Sequence, residues 1–255
     1  MIDETICKIA IAGYLHDIGK FAERAHNRQN ENSQLSHGFY PDEKFLNNHR
    51  GSYQPCYQGR YTHGHAVYTA AFIDHIEKFL PKKFNKGEWG LGDEFMNLAA
   101  GHHNPKTPLQ WIIAMADRVS SGFDRDEFEN YNAEIGVRDY KKTRLLTIFE
   151  GISTDNHWKD DNLESYGYRY PLKELSPENI FPEDKKQIDN TQAQREYSDL
   201  FLNFVSSLEK LAQENIPLWF EHFDSLFMIY ASHIPAATVG KVVPDVSLYD
   251  HSKMT

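Results

Sequence analysis

His16 and Asp17 stand side by side in Leu15-His16-Asp17-Ile18-Gly19-Lys20, offering a neutral imidazole nitrogen and an anionic oxygen from one short piece of backbone. Both donors suit a borderline or hard divalent cation. On a helix, consecutive residues diverge by about 100°, so the pair closes on one ion only at the helix surface. Taken alone the dyad is weak, because such neighbours are common on solvated surfaces. Its setting singles it out: Ile6, Ile9, Ala10, Gly13 and Ile18 make the stretch apolar, and polar groups without partners are costly there. The chain of 255 residues also holds 13 histidines, the residue type most used as a metal ligand.

Further ligands are available at helical spacing. Thr62 to Leu80 reads as a helix stopped by Pro81, which cannot continue it. Its first turn carries His65, with Thr69 and Phe72 on the same side, and His63 reads as an outer or loop residue. Asp93 to His103 reads as a short helix closing on Gly101-His102-His103-Asn104-Pro105. Imidazoles there either cap free carbonyls or ligate, and two adjacent caps would be redundant. Leu109 to Gly122 reads as a buried helix with Trp111, Ile112, Met115 and Val119 on its apolar side and Asp117 in the middle. A buried carboxylate needs a partner: Arg118, Arg125 or a metal. His251 follows Asp250, which reads as the cap of a helix that barely starts, as in a piece cut from a longer protein. Lys20, three residues past Asp17, either steadies a phosphate oxygen or is a surface lysine.

Positioning these residues calls for a mainly α-helical bundle. Residues 3–24 read as one helix capped by Asp3. Residues 26–60 lose periodicity and read as a long loop, with His26, His37 and His49 as solvated loop residues. Three units are expected: helices over 1–122, an irregular insertion over 123–189, and helices over 190–255 that complete the core. The insertion is expected to hold an exposed turn at Asp124–Glu127, a β-like run from Arg144 to Phe149, a loop over 155–161, a Pro-marked extended stretch from Tyr170 to Pro182, and at most a small β-hairpin. Two long helices, 190–215 and 218–233, carry apolar core stripes, with His222 and His233 as ordinary residues.

Composition narrows the function. A formal charge of −10 argues against a broad basic nucleic-acid face, since such binding needs Lys and Arg to neutralise phosphates. Two distant cysteines, Cys7 and Cys56, no recognisable leader and no long apolar window point to a soluble protein of a reducing cytoplasm, not a membrane.

In type and order, His16, Asp17, His65, His102, His103, Asp117 and His251 resemble the ligands of the HD superfamily of metal-dependent phosphohydrolases. That family has a lone His before the dyad; here His251 would supply it by circular permutation. The permuted order, with Leu15 to Lys20, Ala116-Asp117-Arg118-Val119-Ser120-Ser121-Gly122, Arg144 to Phe149 and Pro244 to Lys253, resembles the N-terminal HD nuclease domain of the large subunit of type III CRISPR effector complexes. The resemblance implies cytoplasmic, metal-dependent cleavage of single-stranded DNA with one or two Mn²⁺, Ni²⁺ or Co²⁺ ions, beside other subunits and a guide RNA. The family's Gly-Gly-Asp-Asp motif for making cyclic oligoadenylates does not occur in the sequence, so that activity is not expected. With Asp17 bridging, His16, Asp117 and His251 would hold one ion and His65, His102 and His103 a second, activating water for attack on phosphorus. A nucleotide phosphohydrolase and a catalytically silent module that docks neighbouring subunits are the alternatives.

Overall fold

The computed structural model describes residues 4–26, 42–85, 89–122, 140–152, 165–238 and 243–255. Its first helical stretch is two helices, not one: α1 (Glu4–Tyr14) and α2 (Ile18–Ala25). Between them, the His16 amide bonds Gly13 O at 3.1 Å and the Ile18 amide bonds Leu15 O at 3.2 Å, a tight turn in place of helical continuation. Asp17 has φ −104° and ψ 6°, the sparsely populated bridge region where many active-site residues sit. This turn corrects the expectation of a single helix over 3–24, and it frees the dyad from the 100° divergence of neighbouring helical residues. The expected cap, Asp3, lies outside the described residues.

Next comes α3 (Glu43–Tyr53), capped by the Asp42 side chain on the Lys44 amide, followed by the antiparallel pair β1 (Cys56–Tyr57) and β2 (Arg60–Tyr61). Both fall where an unbroken loop was expected. Polar residues at most α3 positions mask its period, since only Leu46 and Tyr53 are buried. His26 is buried with Nδ1 2.7 Å from the Tyr68 hydroxyl, and His49 is half-buried on α3, so neither is a solvated loop residue. His37 lies outside the described residues.

Helix α4 (Gly64–Ile76) runs as expected, ending through a 3₁₀ turn before Pro81. It packs on α2 so closely that a Cβ at Gly19 would collide with His65 O, Thr69 N and Thr69 Oγ1. Glycine at that position is what lets the two backbones touch. α5 (Phe95–Ala100) ends in a 3₁₀ turn over Gly101–His103. α6 (Pro108–Gly122) buries Gln110, Ile113, Ala114 and Ser120 and turns Trp111, Ile112, Met115 and Val119 to solvent. That reverses the expected core face: α6 carries apolar residues on both sides, and the packed side holds Ile113 with the small Ala114 and Ser120.

In the stretch expected to be an insertion, Arg144 to Thr147 forms no strand, and α7 (Ile148–Gly151) takes over where the β-like run was expected to continue. The Leu146 amide bonds Pro244 O and the Tyr170 amide bonds Leu145 O, at 2.9 and 3.0 Å, so the segment serves as a spacer between chain regions. β3 (Tyr168–Arg169) and β4 (Glu183–Asp184) form the small antiparallel pair. The turn at 124–127 and the loop at 155–161 lie outside the described residues.

α8 (Ala193–Leu208) lays an aromatic layer against α2 and α4, and α9 (Ile216–Ala231) packs on α8 with its rings against Tyr14 of α1. Phe21 meets Phe201 edge-on at 5.0 Å, Phe72 stacks on Phe204 at 6.1 Å, and Phe204 meets Phe223 at 6.1 Å. Each fully buried ring of this kind contributes roughly 1.5–3 kcal/mol through burial. α10 (Leu248–Met254) then returns to α1 and α6. Its cap is Ser247, not Asp250: Ser247 Oγ accepts the Asp250 amide at 3.0 Å and donates to Asp250 Oδ2 at 2.6 Å, a variant of the capping box.

Candidate metal centre

Five segments converge on the dyad. The α1–α2 turn brings His16 and Asp17, α4 brings His65, the turn after α5 brings His102 and His103, α6 brings Asp117 and α10 brings His251. Asp17 lies in the middle, with its two oxygens facing opposite ways. Oδ2 is 3.3 Å from His16 Nε2 and 3.2 Å from His251 Nε2. Those two nitrogens are 3.4 and 3.3 Å from Asp117 Oδ1. Oδ1 is 3.2 Å from His65 Nε2 and 3.7 Å from His102 Nε2, and His65 Nε2 lies 2.8 Å from His103 Nε2. Within each group, His16, Asp17, Asp117, His251 and Asp17, His65, His102, His103, the donor atoms all lie within 4.8 Å of one another.

Partners on the outer side aim the rings. His16 Nδ1 donates to Gly13 O at 2.7 Å and His102 Nδ1 to Ala99 O at 2.9 Å. His251 Nδ1 lies 3.0 Å from Ser120 Oγ, whose hydroxyl donates to His251 O. Fixing a proton on Nδ1 leaves Nε2 to face the centre, the arrangement usual for metal-bound imidazoles. The His102 ring thus reaches back over its helix end through one nitrogen and faces inward through the other. Thr69 ties the layers together, accepting from the Gly19 amide at 3.0 Å and donating to His16 O at 2.8 Å.

Buried polar atoms nearly always find partners. Here His16 Nε2, Asp17 Oδ1, His102 Nε2 and His251 Nε2 are buried and make no hydrogen bond. Four such orphans, divided between the two groups around Asp17, are what divalent cations would satisfy, and the donor set of imidazole and carboxylate fits a transition metal.

Electrostatics agree. Burial alone would raise both carboxyls, yet Asp17 is held well below the usual carboxylate range, chiefly by the Lys20 ammonium and His16. Asp117 is lowered by His16 and His251 despite its burial. Burial disfavours a charged His16, but Asp17 and Asp117 outweigh it and lift the imidazole to about 10. Desolvation keeps His65 and His103 well below their ordinary value and lowers His102 to about 4. The centre is therefore neutral imidazole on the Asp17 Oδ1 side and strongly cation-attracting on the Oδ2 side.

Every residue singled out from the sequence as a candidate lies in or against this cluster. Lys20 Nζ is paired with Asp17 Oδ2 and is partly exposed. The Arg118 guanidinium lies 5.4 Å over the Trp111 ring, on the side of α6 away from the core, and so does not pair with Asp117; Arg125 lies outside the described residues. His63 stands one layer out from His65, its ring 4.1 Å from that of His103, in a left-handed backbone conformation (φ 56°). Sequence reasoning missed the orienting roles of Thr69 and Ser120, because a hydroxyl in a small-residue helix carries no signal of its own. Gly19 was in view within the dyad's stretch but not as a contact point.

Residues 2–122 match the family model described as HD domain. Over 97% of its length the chain is 26% identical to the CRISPR system single-strand-specific deoxyribonuclease Cas10/Csm1 (subtype III-A) of Methanocaldococcus jannaschii, covering 26% of that protein. Its counterpart of the same description from Enterococcus italicus is 26% identical over 58% of the chain and 18% of its own length. The chain thus spans about a quarter or less of these relatives. A solved Csm1-Csm4 cassette in complex with cA4 aligns with 97% of this chain and 26% of its own at 19% identity and a TM-score of 0.45. Residues 2–122, with the dyad at their heart, are thus similar to the family described as HD domain.

Proposed function

We propose that this chain is a metal-dependent phosphodiesterase domain that hydrolyses single-stranded DNA as part of a type III CRISPR effector complex in the cytoplasm, beside other subunits and guide RNA. The observation that carries the reading is the set of four orphaned donor atoms around Asp17. The relatives' description as single-strand-specific deoxyribonucleases supplies the substrate class. In this reading the sequence divides into helices over 1–122, an insertion over 123–189 and completing helices over 190–255.

His16, Asp17, Asp117 and His251 would hold one divalent ion, and Asp17, His65, His102 and His103 a second, with Mn²⁺, Ni²⁺ or Co²⁺ as the candidates. Bound ions of this kind supply a water of lowered pKa and offset charge developing on phosphate. The chain's own groups do the rest. Asp17 spans both sets and fixes their separation. The outer partners Gly13 O, Ala99 O and Ser120 hold the imidazoles in line. Lys20, paired with Asp17 at the open side of the site, is placed to exchange that partner for a non-bridging phosphate oxygen and steady the strand. Water oxygen bonds to phosphorus, the ester P–O bond breaks, and the departing sugar oxygen takes up a proton.

The test is cleavage of labelled single-stranded DNA with added Mn²⁺, compared with Asp17→Ala. The expected result is metal-dependent cleavage that is lost in the variant. Unchanged cleavage by Asp17→Ala would sink the mechanism.

A further inference from the structure

One helical turn beyond Lys20 along α2, a cleft of about 130 Å³ opens against the first turn of α4. It adjoins the metal centre from two sides. Gly64 on its wall precedes His65, and Glu23, also on its wall, follows Lys20 by three residues, which places both on one face of α2.

The walls have a chemistry of their own. Tyr61, 49% exposed, stands on β2 at the rim. Its hairpin is closed by Gln58-Gly59, both at positive φ (49° and 76°), the tight two-residue turn that gives a hairpin a defined twist. Arg50 on α3 also lines the cleft and has no carboxylate partner among the described residues. Gln54 is buried in the wall, its Nε2 donating to Thr62 O at 3.0 Å. The Glu23 carboxylate lies against Gly64, where a Cβ would collide with it.

These groups select a ligand class. A phosphate seeking the α4 N-terminus would meet the Glu23 carboxylate already there, so the cleft disfavours a second anion. What it offers is an aromatic face, a guanidinium with no carboxylate partner among the described residues, and a carboxylate whose Oε1 already accepts from the Tyr140 hydroxyl at 3.3 Å. A planar heterocycle with donors and acceptors on its edge uses all three. The charge of −10 points the same way, because an acidic domain cannot hold a strand mainly by neutralising its phosphates.

We propose that this cleft receives an unpaired nucleobase of the strand whose phosphate lies at the metal centre, stacked on Tyr61 and bridged on its edge by Arg50 and Glu23. The proposal rests on the phosphodiesterase reading above and deepens it. It gives single-strand selectivity a physical origin: a base inside a duplex reaches the cleft only after unpairing and unstacking, at a cost of a few kcal/mol.

The test is binding of two labelled strands of equal length, one of deoxynucleotides and one of abasic sugar-phosphate, by fluorescence anisotropy in EDTA so that nothing is cut. The native chain is expected to prefer the base-bearing strand by about tenfold, within the range that stacking on an aromatic side chain supplies. Tyr61→Ala should reduce the preference to about twofold or less and Tyr61→Phe should keep it. Arg50→Ala, which alters no ring packing, should also reduce it. Calorimetric uptake of Mn²⁺ by Tyr61→Ala checks that the neighbouring centre is intact. Equal binding of both strands by the native chain, or a preference retained in both Tyr61→Ala and Arg50→Ala, overturns the proposal. Cleavage of DNA without base preference would leave the nuclease reading standing and remove the cleft. Base-dependent binding without cleavage would do the reverse.

Discussion

Asp17 presents one oxygen to each ligand set, so its substitution should affect both at once. Asp17→Asn keeps the shape and removes the charge; calorimetry with Mn²⁺ or Ni²⁺ should show loss of both binding events. His251→Ala opens only the set shared with Asp117 and should leave one event. If His251→Ala abolishes both, or neither, the two-set arrangement fails. The pH dependence of stability has a definite sign. His16 is raised to about 10 in the folded chain against about 6.5 unfolded. Its contribution is complete below pH 6.5 and drains away as pH rises toward 10. A cation needs the deprotonated imidazole and so reverses the trend. Melting temperature in EDTA should fall from pH 6.5 to 9, while with a divalent ion the gap above the EDTA curve should widen over that range. Parallel curves would contradict this. At this scale the sequence was informative where residue type is distinctive, as with His16, His65, His102, His103, Asp117 and His251. It was silent where Thr69 and Ser120 act through a hydroxyl that serves equally well on any helix.

The contact of α2 with α4 depends on Gly19, and a methyl group there meets backbone, which cannot step aside. Gly19→Ala should separate the two helices, draw Asp17 from His65, and weaken metal uptake more than the variant's melting temperature alone would suggest. Overpacking of this kind costs typically 1–3 kcal/mol. On α6 the two faces make opposite predictions. Ile113→Ala, on the buried side, should cost about 2–5 kcal/mol, whereas Ile112→Ala or Val119→Ala, on the exposed side, should stay within about 0.5 kcal/mol; denaturant titration distinguishes them. The apolar spacing of α6 was readable, but a helix with Ile, Met and Trp on one side and Ile113 and Ala114 on the other presents two stripes, and bulk pointed to the wrong one. The break between α1 and α2 was hidden for a related reason. Helical periodicity continues through Leu15 and Ile18, and only the tertiary demand of placing His16 and Asp17 on one centre interrupts it. α3 escaped notice because a helix that buries two residues hardly has a period.

Across the molecule, the mainly helical architecture was legible because the stripes of α4, α8 and α9 are long and unambiguous. The convergence of five segments was not, since spacing along a chain says nothing of distance across it. The acidic charge has a measurable consequence. If the proposed reading holds and Lys20 and Arg50 supply the phosphate contacts, binding to single-stranded DNA should weaken with salt no more steeply than about the second power of its concentration. A steeper slope would locate the main contacts elsewhere. Stability has a matching expectation. Because the centre joins helices early and late in the sequence, Mn²⁺ at about 100 times its dissociation constant should raise the unfolding free energy by roughly 2.7 kcal/mol.

His251 approaches Asp17 from the last described helix, while His16 and Asp17 follow the first. An ion held between them acts as a clasp on a very long loop, whose closure costs entropy that α8, α9 and α10 must first overcome by docking. Translation runs in one direction, so a ribosome-bound chain exposes the dyad long before it can complete the set. Throughout that interval the ligand set of the emerging polypeptide is incomplete, and it closes only once residue 251 has folded home.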